Sequence, residues 1–171
     1  MPAVPVATPI CRDLAINGGG LTAVGVAGVA LSAALVAGGP ARAIVPFIIV
    51  ALVFGLAQVV VSGGWLQKAV ADAPPAPANL EDEPDGTALR RAAVPTALAV
   101  VLIAVALLGW VQFAALLAGV AFAAGMTDLR ARAWVRRREA ADDVTVMRAP
   151  APLPFSTARR QLWLRPGTDA A

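Results

Sequence analysis

The chain has 171 residues, 58% of them hydrophobic and only 15% charged, with a formal net charge of +3. A soluble domain carries about 25% charged residues and has no use for this much apolar surface, so an ordinary water-soluble fold is excluded and the excess must face lipid. Histidine and tyrosine are absent and cysteine occurs once, which removes imidazole metal sites, Cys-Cys zinc sites, Cys-His nucleophile pairs and any intrachain disulfide.

The expected architecture is all-α: a small integral membrane protein with four transmembrane helices arranged as two helical hairpins. Residues 1–17 form an N-terminal tail with Cys11, read as a free, inert thiol. The first transmembrane hairpin covers 18–63, with spans at about 21–38 and 44–63. Leu21 to Ala37 is uninterrupted apolar sequence between two glycine clusters, and Gly38-Gly39-Pro40 supplies stop signals. Pro46 falls in the first turn of the second span, where a missing N–H costs little. The connector, Gly38 to Ala43, is too short for anything but an antiparallel return. Arg12, the apolar segment and Ala41-Arg42-Ala43 also have the outline of a signal peptide, but the long leading region and Asp13 argue for a retained span.

Residues 64–91 read as a Pro/Ala-rich acidic linker. Its Glu81, Asp82, Glu83 and Asp85 lack the alternation around a glycine turn that a calcium loop requires, so they are expected to be solvated. The second hairpin covers 92–127. Ala92 to Met126 is 35 residues without a charge; as one helix it would extend about 52 Å, against a hydrocarbon core of about 30 Å. A reversal is therefore expected near 109–112, with Gly109 offering a left-handed backbone position, Trp110 an interfacial anchor and Gln112 a polar group suited to headgroups. A single unbroken helix is the competing reading.

Residues 128–171 form a basic tail. The last helix is expected to run on past Met126, to break in the proline-rich stretch from Ala149, and to leave the Arg159 to Arg165 patch loose with intermittent lipid contact. Nine of the fourteen basic residues lie between Arg130 and Arg165. Four spans place 13 Lys and Arg on one side and Arg42 alone on the other, whereas three spans give 10 against 4. Four spans with both termini cytoplasmic satisfy the positive-inside rule better. The preference for Arg over Lys and the wealth of Ala match a GC-rich bacterial genome, hence the expected location in a bacterial cytoplasmic membrane.

Small and polar residues recur at helical spacing: Gly18, Gly25, Ser32 and Gly39, every seven residues and with Gly28 beside them, in the first span; Ala51, Gly55, Gln58 and Ser62 in the second; Ala114, Ala118, Ala121 and Gly125, with Gly119 beside them, in the fourth. Such faces allow close helix approach, so Gly25, Gly28, Ser32, Gly55, Gln58, Gly119 and Gly125 are the expected helix-packing residues. Gln58 should hydrogen-bond across an interface, because an unpaired amide in hydrocarbon is costly. Arg90, Arg91, Arg130, Arg132, Arg136, Arg137 and Arg138 are the expected lipid-headgroup contacts, attracted to anionic lipid.

No charge lies within the spans, no nucleophile or P-loop motif occurs, and the carboxylates fall in segments where nothing holds their geometry. The chain is therefore not expected to be an enzyme, to use a cofactor or metal, or to bind nucleic acid. Its expected partners are the bilayer, anionic lipids, and another membrane protein or a second copy of itself. A structural or accessory membrane protein is the leading reading. In its order of elements, hairpin, polar linker, hairpin, the chain is similar to the small membrane subunit of tripartite tricarboxylate transporters. That likeness implies the alternative, a small non-catalytic subunit of a transport or pore-forming system, and assigns no residue a role.

Overall fold

The computed structural model describes residues 5–61, 64–150 and 161–167. In chain order the elements are β1 (Val6–Pro9), α1 (Ile10–Leu35), α2 (Ala41–Val61), α3 (Trp65–Ala71), β2 (Glu81–Asp82), α4 (Asp85–Gly109), α5 (Val111–Asp142), β3 (Val144–Arg148) and β4 (Leu162–Pro166). Four of the helices are long and apolar enough to cross a membrane. Positions 62, 63 and 151–160, including Ser62, the end of the second expected span and most of the proline-rich break, lie outside the described residues.

The long uncharged run is divided in two, and the break falls on Trp110 instead of Gly109. Trp110 alone leaves the helical region, with φ −153° and ψ 92°, whereas Gly109 is the last residue of α4 and has no positive φ. The Trp110 N–H donates to Ala106 O at 2.6 Å and its carbonyl accepts from Ala114 N at 3.1 Å. One extended residue thus redirects the chain while its backbone groups serve both helix ends, so no left-handed glycine is needed. The α1–α2 connector does use that freedom: Gly38 and Gly39 take φ of +88° and +98°, values that side-chain-bearing residues rarely adopt. α2 begins at Ala41, which moves Pro46 from the expected first turn into the helix proper.

α5 is the hub. Gly18 and Gly25 of α1 lie against Gly125 and Ala118 of α5, so the two helices are antiparallel. Phe47 and Val50 of α2 meet Gly119 while Gly55 faces Ala123, so α2 runs parallel to α5. Thr96 and Ile103 of α4 meet Gly20 and Gly28, so α4 runs parallel to α1. Directions alternate along the chain, but the most extensive packing joins the first span to the last, across the two expected hairpins and not within them. Backbones approach closely because the contact residues are small: a Cβ at Gly25 would sit 2.8 Å from Ala118 O, and one at Gly119 2.8 Å from Phe47 O. Phe47 and Phe122 rings meet at 5.5 Å between centroids, a separation typical of favourable aromatic pairs. Leu21, Ile103, Ala106, Ala114, Ala118 and Ala121 form the bundle core. Outward, α2 and α4 present aliphatic walls, with Leu52, Val53, Leu56, Val101 and Val105 all more than half exposed.

The fold is not purely helical. At the end of the bundle opposite Trp110 a four-stranded sheet runs in the order β2-β1-β3-β4, parallel between β1 and β2 and antiparallel elsewhere. It unites the N-terminal segment, the linker and the tail into a cap whose core is Ile10, Leu14, Val70, Val135, Val146 and Leu162. Two expectations are corrected here. The linker is not wholly solvated: Leu164 N donates to Pro74 O at 2.9 Å and Ala76 N to Leu164 O at 2.8 Å, because an extended proline-rich stretch can still offer carbonyls to a strand edge. The Arg159–Arg165 patch is not wholly loose either, since Leu162–Pro166 pairs along β3 and Arg165 reaches Asp82 at 2.8 Å.

Packing at Gly25 predicts a sharp contrast with Gly55. The Cβ of Gly25→Ala would meet backbone atoms that cannot yield, and destabilisation of about 1–3 kcal/mol is expected. Gly55→Ala would make only an ordinary 3.9 Å contact with Ala123 and should stay within about 0.5 kcal/mol. Thermal unfolding in detergent measures both, and comparable losses would contradict the assigned helix registers.

Candidate functional site

The chemistry-bearing side chains converge where the cap meets the bundle. β1 supplies Thr8, the first turn of α1 Asp13, the residue after β2 Glu83, the second turn of α4 Arg91, and the end of β3 Arg148. Arg91 Nη1 donates to Asp13 Oδ2 at 3.0 Å, and its Nη2 donates to Glu83 Oε2 at 2.7 Å. Arg148 Nη2 donates to Asp13 Oδ2 at 2.7 Å, and the Thr8 hydroxyl to Glu83 Oε2 at 2.5 Å. Asp13 is 2% exposed and Arg148 5%. Two carboxylates face two guanidiniums, so the cluster is neutral, the condition under which charges tolerate removal from water.

Asp13 also sits in the first turn of α1, where the helix dipole favours an anion. Burial by itself would lower the Arg91 pKa, but its hydrogen bonds to Glu83 and Asp13 outweigh that and raise it, so the ion pairs persist. Both buried carboxylates are occupied by arginine and leave no free anionic pair for a cation. What the cluster can do is bind five chain segments together.

Around it lie two further polar contacts. Asn17 of α1 hydrogen-bonds Asp128 of α5. Cys11 Sγ lies 3.2 Å from Glu139 Oε2, while Glu139 Oε1 accepts from Val146 N at 2.9 Å. In the cap, outside the apolar stretch of α1, burial and then the Glu139 carboxylate push the Cys11 thiol up to about 12. It stays protonated at neutral pH and is a poor nucleophile.

The residues singled out from sequence divide clearly. Gly25, Gly28 and Ser32 lie on the buried face of α1, and Gly119 and Gly125 on that of α5; Gly55 and Gln58 lie on the half-buried face of α2. Arg90, Arg130, Arg136 and Arg137 are exposed. Arg138 is exposed and pairs with Asp142 at 2.7 Å, and Arg132 is half-buried with its Nε enclosed. For Arg91 the headgroup expectation is corrected: its guanidinium faces inward to Asp13 and Glu83, because one residue along a helix rotates a side chain by about 100°. The expectation that Glu83 is solvated is corrected too, since it is buried against Arg91 and Thr8, and the sequence assigns Thr8, Asp13 and Arg148 no part in a site. The available signal was Asp13, an acid out of place at the start of an apolar helix. Nothing in the linear pattern separates Glu83 from its exposed neighbours Glu81, Asp82 and Asp85.

Arg91→Met should leave the buried Glu83 without a cation and Asp13 with Arg148 alone, and destabilise the protein by about 3–5 kcal/mol. Arg12→Gln breaks a pair whose Asp85 side chain is 88% exposed and should cost less than about 1 kcal/mol. Equal shifts of the two unfolding midpoints would show that the cluster does not hold the cap. No family model, curated protein or solved structure matches the chain, so the similarity to the small transporter subunit is one of layout alone.

Proposed function

We propose that the chain is a four-span integral protein of a bacterial cytoplasmic membrane, with its N-terminal segment, its linker and its tail all on the cytoplasmic side. It serves there as a structural or accessory component. The observation that carries this reading is the sheet: β1, β2 and β3–β4 come from the three segments that a four-span chain leaves on one side, and they pair with one another. A three-span chain would hold the N-terminal segment and the tail on opposite sides of the bilayer. Among the described residues the same end gathers every Lys and Arg except Arg42, in keeping with the positive-inside rule. Residues 92–109 of α4 and 111–127 of α5 extend about 26–27 Å, a fair match to a hydrocarbon core of about 30 Å.

Helix-packing residues hold this chain's own helices together, so association with another membrane protein falls to the aliphatic walls of α2 and α4 and to the basic cap. The alternative, a small non-catalytic subunit of a transport or pore-forming system, gains support from the closure of α5 by alanine and glycine. Among the described residues the centre is closed by small side chains, and in any transport system the conduit would belong to a partner.

A cysteine at Ala78, an exposed linker position, tests the topology in a Cys11→Ala background. It should resist a membrane-impermeant thiol reagent in intact cells and react after lysis; labelling without lysis would overturn the four-span orientation. Purification in mild detergent then separates the roles. Recovery of the chain with lipid alone supports the accessory reading, and a stoichiometric many-span partner supports the subunit reading.

A further inference from the structure

The basic side chains of the capped end are not equivalent. Arg12, Arg91, Arg138, Arg148 and Arg165 are taken up by carboxylates. Among the described residues Arg90 and Arg130, like Lys68 of α3, are exposed and without an ion-pair partner; Arg90 ends an exposed apolar strip, and Arg130 follows an exposed apolar residue. On α4 Leu98, Val94 and Arg90 stand four residues apart on one outward face, with both aliphatics more than half exposed. On α5 the exposed Met126 stands four residues before Arg130. Residues four apart on a helix lie one above the other, so each cation stands directly above hydrocarbon-compatible surface.

Helix rise sets their height. Arg90 stands about 3 Å beyond Ala92, and Arg130 about 4–5 Å beyond Thr127, inside a headgroup layer about 5–8 Å deep. Arg136 and Arg137, also exposed and unpaired, stand about 13–15 Å out along the same helix and clear that layer.

We infer, on the basis of the four-span reading, that Arg90 and Arg130 bind the phosphates of anionic glycerophospholipids in the cytoplasmic leaflet, with the acyl chains lying along Leu98–Val94 and beside Met126. The apolar strip selects an amphiphile over a free phosphate. The guanidinium selects an anionic headgroup over a zwitterionic one, whose own ammonium competes for the phosphate. Arg91, one residue from Arg90, takes no part, and neither do Arg136 and Arg137.

The test is native mass spectrometry of the full chain in detergent with added phosphatidylglycerol or phosphatidylcholine, and with glycerol phosphate as a soluble competitor. Wild type should retain phosphatidylglycerol preferentially. Each cation removed should weaken that preference about fivefold, so Arg90→Gln/Arg130→Gln loses about 25-fold, while Arg136→Gln/Arg137→Gln stays within about twofold of wild type. Glycerol phosphate should not displace the lipid. Wild-type preference in Arg90→Gln/Arg130→Gln, an equal loss in Arg136→Gln/Arg137→Gln, or displacement by glycerol phosphate would each overturn the assignment. Should the first double variant not fold, salt titration of wild type decides: the preference must fall as ionic strength rises, and indifference to salt refutes it. Release of the chain from membranes by alkaline carbonate would instead refute the four-span reading.

Discussion

Everything in this molecule depends on how closely three helices can approach α5. In the bilayer setting proposed for this chain, lipid tails are as apolar as leucine, so burying aliphatic side chains gives little drive for helices to associate; packing contacts must supply it, and these grow as the backbones draw near. Gly125 and Ala118 offer α1 an almost flat surface, which Gly18 and Gly25 answer with another, and Gly119 lets Phe47 and Val50 of α2 approach as closely. The same closeness brings polar atoms against glycine. A Cβ at Gly20 would lie 2.5 Å from Thr96 Oγ1 and one at Gly125 2.5 Å from Thr22 Oγ1, so the glycine Cα–H groups point at hydroxyls that lack any conventional partner. Weak Cα–H···O contacts of this kind recur where helices pack tightly.

The hub dictates the cap. Because α1 and α5 lie side by side and antiparallel, the start of α1 and the far half of α5 emerge together, and Ile10 and Leu14 find Val135 as a neighbour. β3 follows α5 after Asp143 alone, which takes φ +49° as it ends the helix, and so returns beside β1. The sheet is thus a consequence of helix pairing: strands of two to five residues have too little surface to stand alone and are held by the helices they continue.

Much of the bundle was legible from the sequence because the signal was periodic and local. The recurrence of Gly25, Gly28 and Ser32, and of Ala114, Ala118 and Gly125, names the buried faces correctly, and the uncharged run from Ala92 is too long for one helix. The position of the break was legible and its mechanism was not, since nothing in Gly109-Trp110 says which residue departs from the helix. The cap was illegible for a different reason. Val6 pairs with Glu81, and Thr8 with Arg148, across separations at which no pattern survives, and each strand is shorter than the window in which alternation can be recognised. Arg90 and Arg91 are indistinguishable by composition; only the rotation of α4 against α1 makes one a surface charge and the other a buried one.

The location of the ion cluster follows from the same geometry. Arg91 immediately precedes the uncharged stretch of α4 and Asp13 lies one turn before Asn17, so both are drawn toward the apolar bundle by the helices that carry them. A lone charge at that depth would be costly, and a pair would still leave polar atoms unmatched. Glu83 from the linker and Arg148 from the tail complete the match, and in doing so couple segments that are otherwise remote in sequence. Closing the cap and neutralising the charges at the boundary of the apolar bundle are therefore a single event. Arg148, at the end of β3, supplies the guanidinium that completes it.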